Sequence, residues 1–75
     1  MSAKENAKKL IKALGAQAGE DIANAHVTQA AAEIGLAEPD LDEALSYARE
    51  KGWIDTGSRE GTTCITQDGW DSGNA

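Results

Sequence analysis

The feature that most constrains the fold is a change of hydrophobic periodicity after Gly52. Before this glycine, apolar residues recur every three or four positions, which is the spacing of amphipathic helices. After it come two short runs with β-propensity, 53–56 and 62–66, and the intervening stretch 57–61 has glycine at both ends. Such a stretch between two short strands is typical of a hairpin. The sequence therefore predicts a mainly α fold with a small antiparallel β-hairpin.

The first of three predicted helices has clear start and stop signals. Ser2 is followed three positions later by Glu5, which is the spacing of a capping box. An apolar stripe then continues as far as Gly15, a residue suited to a C-terminal cap. The following segment, 16–25, has weak periodicity, and we expect it to form a loop or a short helical turn.

The second and third helices are predicted from Thr28 and from Pro39. Thr28 is a good N-cap, and the alanines after it favour a short helix that Gly35 stops. Pro39 stands where the first turn of a helix tolerates a missing N–H, and the helix that begins there ends at Gly52. The tail, 68–75, is mostly polar, and we expect it to fray.

The chain length predicts one domain. With 75 residues and no Phe, the chain has one small core built from aliphatic residues and two Trp. A domain of this size, 1–75, is expected to have marginal stability. The predicted core comprises Leu10, Ile11, Leu14, Val27, Ala31, Ile34, Leu36, Leu41, Leu45, Ala48, Ile54 and Ile65.

The stretch from the second helix to the third has the spacing of a helix-turn-helix. Ala31 is small where two helices cross closely, Gly35 permits the positive φ of the turn, and Leu41 closes the core beneath it. Residues 64–69, Cys-Ile-Thr-Gln-Asp-Gly, look like a closing wing strand and the turn after it. Over residues 27–70 the chain resembles winged helix-turn-helix domains of bacterial, archaeal or phage regulators.

This resemblance implies a small DNA-binding or transcription-regulatory module that acts as a dimer on two half-sites. In such domains the third helix enters the major groove of DNA. The resemblance implies DNA contacts by Gln29, Ser46, Tyr47, Arg49 and Arg59. On the first helix, Lys4, Lys8 and Lys12 are candidates for contact with phosphate or with an acidic partner, although they also fit a solvated helix face.

Charge favours a different use of the same fold. Residues 16–75 carry twelve acidic and only three basic side chains, and this excess repels a phosphate backbone. An alternative is therefore protein–protein interaction through an acidic third helix, with a DNA-mimicking inhibitor as the extreme case. We favour DNA by a narrow margin. The candidate acidic partner face comprises Asp40, Asp42, Glu43 and Glu50.

Other classes of function lack sequence support. There is one cysteine, Cys64, and one histidine, His26, so neither a disulfide within the chain nor a zinc-binding pattern is expected. A nucleophile–base set and a glycine-rich phosphate loop are also missing, so we expect neither an enzyme nor a cofactor. The apolar runs are short, and we expect a cytoplasmic protein with no membrane contact. Trp70 and Cys64 have no assigned role.

Overall fold

The computed structural model describes residues 2–74; Met1 and Ala75 lie outside them. The described residues form a mainly helical fold with a small three-stranded antiparallel sheet, in agreement with the coarse class predicted from periodicity. The elements in chain order are α1 (Ala3–Leu14), β1 (Asp21–Ala23), α2 (Asn24–Glu33), α3 (Asp40–Glu50), β2 (Ile54–Thr56), β3 (Thr62–Ile65) and α4 (Gln67–Asn74).

Helix α1 has the two caps that the sequence predicts. The hydroxyl of Ser2 accepts a hydrogen bond from the backbone N–H of Glu5 at 3.3 Å. At the other end Gly15 has a φ of +64°, and its N–H donates to the carbonyl of Lys12 at 3.3 Å. These bonds satisfy backbone groups that have no partner inside the helix.

Strand β1 corrects the prediction of a loop or short helical turn over 16–25. In the sheet order β1-β3-β2, this strand pairs with β3, and Ile22 lies opposite Thr63. Ile22 is buried between exposed Asp21 and Ala23, which is the alternation of a half-buried strand. Three residues are too few for that alternation to be recognised in the sequence.

Helix α2 begins at Asn24, so the prediction that Thr28 is its N-cap was wrong. Thr28 lies inside the helix, and its hydroxyl donates to the carbonyl of Asn24. The sheet fixes the earlier start, because the N–H of Asn24 donates to the carbonyl of Gly61 at 3.0 Å. The side-chain oxygen of Asn24 also accepts from the hydroxyl of Thr63 at 2.8 Å.

The turn between α2 and α3 follows the predicted geometry. Gly35 has a φ of +75°, a conformation that favours glycine. The N–H of Leu36 then donates back to the carbonyl of Ala31 at 2.8 Å, which closes the end of α2. Ala31 has no exposed surface, consistent with a close approach of neighbouring elements at this point.

The expected frayed tail is instead helix α4, which packs against α1. Gly73 allows this close approach to α1, and Gly69 allows a second one to the backbone of Trp53. A Cβ at Gly69 would lie 2.7 Å from the carbonyl carbon of Trp53, and one at Gly73 would lie 3.0 Å from the Cβ of Ile11. Tertiary packing therefore stabilises a helix whose glycine content gives it low intrinsic propensity.

Most of the predicted core is buried, with three exceptions. Ile34 is 39% exposed, because it follows the last turn of α2 and is not covered there. Leu14 and Leu45 are half-buried and pack on the edge of the core. The buried apolar residues that the predicted list omitted are Ala7, Ala16, Ile22, Ala30 and Ala44.

Candidate binding surface

Three of the four predicted acidic residues come together on the exposed face of α3. Because Leu41, Ala44 and Ala48 face the core, helical periodicity turns the intervening residues towards solvent. There they line a surface groove of about 380 Å³ between α3 and the start of α1. The residues lining it are Ala3, Asp42, Glu43, Ser46, Tyr47 and Glu50.

Tyr47 forms the aromatic part of this groove, which we call the α3 groove. Its ring is half-buried and packs edge-to-face on Trp53, with the ring centroids 5.5 Å apart and an interplanar angle of 68°. The ammonium of Lys51 lies 5.6 Å from the centroid of the Tyr47 ring, within the range of a cation–π contact. This ring therefore already attracts a cation of its own chain.

Asp40 lies apart from the other three acids. It lines a second groove, of about 130 Å³, at the junction of α1 with the α2–α3 turn, which we call the Asn6 groove. The predicted acidic partner face is thus divided between two sites on α3. The residues lining the Asn6 groove are Asn6, Lys9, Ile34, Gly35, Leu36 and Asp40.

Glu38 is a further acidic residue near this surface, and it is not part of the acidic partner face predicted from the sequence. A hydrogen bond with the side chain of Asp42 raises the pKa of Glu38 above its ordinary value, and desolvation and the negative charge of Asp42 act in the same direction. Glu38 lies in the turn before α3, so the helical spacing that selected the other acids did not include it. The negative potential of α3 therefore extends back into the α2–α3 turn.

The acids at the start of α3 also stabilise the helix itself. Pro39 occupies the N-cap position and supplies no side-chain hydrogen bond. Asp40, Asp42 and Glu43 lie in the first turn, and Arg49 lies in the last turn. Carboxylates near a helix N-terminus and cations near its C-terminus interact favourably with the helix dipole. Part of this charge pattern therefore has a purely structural reason.

Arg59 is exposed in the turn between β2 and β3, next to a contact with β1. Ser58 donates its hydroxyl and its backbone N–H to the carboxylate of Asp21, the latter at 3.2 Å. These two bonds lower the pKa of Asp21 below its ordinary value, and the positive charge of Arg59 contributes in the same direction. The guanidinium is thus near a carboxylate of its own chain.

The remaining predicted contact residues lie outside the α3 groove. Gln29 is exposed on α2 and Arg49 is exposed on α3. On α1, Lys4 and Lys12 are exposed, whereas Lys8 is half-buried. Of the residues predicted to contact DNA, only Ser46 and Tyr47 line the α3 groove.

Within residues 2–74, no three or more His, Cys, Asp or Glu side chains are grouped so that they can hold a metal ion. No helix in this part of the chain has both the length and the apolar character needed to cross a membrane. Cys64 is a free, half-buried thiol on β3. Comparisons with protein families, curated proteins and solved structures find no match to this chain.

Proposed function

We propose that this chain is a winged helix-turn-helix domain that binds a basic protein partner through the α3 groove. The element order supports the first part. A helix, a short strand, two helices and a hairpin follow one another, and β1 pairs beside the hairpin in the order β1-β3-β2. In this proposal α2 and α3 are the helix-turn-helix, and the turn at 57–61 is the wing.

The observation that carries the proposed partner class is the charge of the α3 groove. Asp42, Glu43 and Glu50 line the groove together with Tyr47. Carboxylates beside an aromatic ring attract Lys and Arg side chains by charge and by cation–π interaction. A basic segment of a protein matches both features of the groove.

The basic residues near the groove and the wing also favour a protein partner over DNA. The ammonium of Lys51 lies over the ring of Tyr47, and Arg59 lies close enough to Asp21 to lower the pKa of its carboxyl. The charge of Arg59 is therefore partly balanced within the chain, and Lys51 already interacts with the ring. Phosphates approaching α3 meet more carboxylates than basic side chains, which opposes the counterion release that drives DNA binding.

DNA binding remains the second candidate, and one observation favours it. Arg59 is exposed at the tip of the proposed wing, where an arginine is able to reach a minor groove. In that case Arg49, Ser46 and Tyr47 on α3 and Gln29 on α2 supply the other contacts. The lysines of α1 are then candidates for phosphate contacts.

A titration followed by amide NMR tests the two candidates on the unmodified chain. Octalysine serves as the basic probe, and a double-stranded DNA oligonucleotide serves as the nucleic-acid probe. The proposal expects octalysine to shift the amides of residues 40–50, with weaker binding at higher salt. Shifts in residues 40–50 and at Arg59 on adding DNA, together with none on adding octalysine, would overturn the proposal in favour of DNA.

A further inference from the structure

The buried side of α1 contains one polar side chain that the packing does not explain. Asn6 is only 6% exposed and stands beside Ala7 in the helix face that covers the core. Its backbone N–H donates to the carbonyl of Ser2 at 3.0 Å, as expected inside a helix. A buried amide normally has hydrogen-bond partners for its side chain as well.

The side-chain amide of Asn6 has no hydrogen-bond partner among residues 2–74. Every fully inaccessible side-chain nitrogen and oxygen atom in that part of the chain does have a partner. The polar atoms of Asn6 must therefore retain some accessible surface. The Asn6 groove, which this residue lines, provides that access.

The rest of the Asn6 groove is chemically mixed. Ile34 is 39% exposed and offers apolar surface next to buried Leu36, while Lys9 and Asp40 bring one positive and one negative charge to the lining. The volume of about 130 Å³ is well below the roughly 300 Å³ at which pockets for drug-sized ligands begin. A ligand of this groove is therefore small, or is a small part of a larger partner.

We infer that the Asn6 groove binds a peptide segment of the partner. An Asn side chain has an amide donor and a carbonyl acceptor, which match the C=O and N–H of a peptide group. An apolar side chain next to that peptide group then packs on Ile34. This inference rests on the proposed function in one respect, namely that the partner is a protein.

An NMR titration with the blocked dipeptide acetyl-Leu-Lys-amide tests this site. The expected result is a saturable shift of the Asn6 side-chain amide and of the Gly35 and Leu36 backbone amides. Acetyl-Gly-Lys-amide should bind more weakly, because it lacks the apolar side chain that packs on Ile34. If none of these resonances shifts up to the solubility limit of the dipeptide, the inference is wrong.

Two variants separate binding by Asn6 from a structural role. Asn6→Leu replaces the amide with an apolar side chain of similar size. Asn6→Ala also removes the amide and is used if leucine does not fit. We expect dipeptide binding to weaken about tenfold or more, because a hydrogen-bonded pair is lost. Neither substitution removes a hydrogen bond within residues 2–74, so any change in the unfolding midpoint reports the fit of the new side chain. Unweakened binding in either folded variant contradicts the inference.

The same titration on the double variant Asp42→Lys with Glu43→Lys distinguishes this site from the α3 groove. We expect that variant to bind the dipeptide as the unmodified chain does, since neither substituted residue lines the Asn6 groove. On the unmodified chain, failure of octalysine binding together with persistent dipeptide binding at Asn6 means that the proposed function is wrong and the peptide site stands. If only dipeptide binding fails, the peptide site is wrong and the proposed function stands.

Discussion

Ser58, in the turn between β2 and β3, donates both its hydroxyl and its backbone N–H to the carboxylate of Asp21 in β1. The two residues are 37 positions apart in the sequence. The contact joins the turn of the hairpin to the first strand of the sheet. It also holds the pKa of Asp21 below its ordinary value, because both bonds favour the ionised carboxyl.

Ser58→Ala is expected to raise the pKa of Asp21 towards its ordinary value of 3.8. Because the pKa is lowered in the folded chain, the stabilisation by this carboxylate is present above the unfolded pKa and is lost as pH falls through the folded value. The variant should therefore lose less stability in acid than the unmodified chain. Carboxyl NMR titration measures the pKa, with exposed Ser46→Ala as the control. An unchanged Asp21 pKa in Ser58→Ala contradicts the assignment.

The side-chain hydrogen bond between Glu38 and Asp42 predicts the opposite pH dependence. The pKa of Glu38 is raised above 4.5, so the protonated form is favoured in the folded chain. Its stabilisation is present below the unfolded pKa and is lost as pH rises through the raised value. With Glu38→Gln, the free energy of unfolding should depend less on pH in this range. At neutral pH the variant should be at least as stable as the unmodified chain. Urea unfolding across this pH range checks both points, and a profile unchanged by the substitution would disprove the contact.

Gly69→Ala should destabilise the fold, although alanine is the better helix former. In an ordinary helix position, this change stabilises by about 0.5–1 kcal/mol. Here the new Cβ would lie 2.9 Å from the Cα of Trp53 and still closer to its carbonyl group, so α4 has to move. We expect a net loss of about 1–3 kcal/mol from overpacking. Thermal unfolding measures it, with Ser72→Ala in the same helix as the control, and a stabilised Gly69→Ala would show that α4 does not pack this closely.

A matched pair of leucines tests the boundary of the core. Leu10 is 3% exposed, whereas Leu45 is half-buried at the core edge. Leu10→Ala should cost about 2–5 kcal/mol by loss of buried surface and formation of a cavity. Leu45→Ala should cost less, because part of its side chain already contacts water. Urea unfolding of both variants checks the order, and equal losses would place Leu45 in the core.

The sequence predicted the elements whose signals are local. Ser2 and Gly15 delimit α1, Gly35 marks the turn between α2 and α3, and the glycines around 57–61 mark the hairpin. These residues act through hydrogen bonds and φ values within a few positions, so their effect can be inferred from the chain alone.

The sequence did not reveal the elements stabilised by distant partners. Strand β1 exists because Ile22 pairs across from Thr63, and α2 starts early because Asn24 bonds to Gly61 and Thr63. Helix α4 forms against α1 despite its glycines, so packing overrides propensity. The candidate site, too, was predicted only in part. Periodicity placed the α3 acids on the exposed face, but only the packing of α1 and the α2–α3 turn separates Asp40 from them and opens a groove beside Asn6.

Reversal of charge in the α3 groove tests the central claim most directly. The double variant Asp42→Lys with Glu43→Lys is compared with Glu33→Lys with Asp71→Lys, which makes the same change in net charge at exposed positions outside the groove. Dissociation constants for octalysine and for duplex DNA are measured at two salt concentrations, after circular dichroism has shown that both variants are folded. The account predicts that octalysine binding is lost in the groove variant and largely kept in the control. If octalysine binds both variants equally, while DNA binds the groove variant more tightly than the control, the α3 groove is not a site for a basic partner.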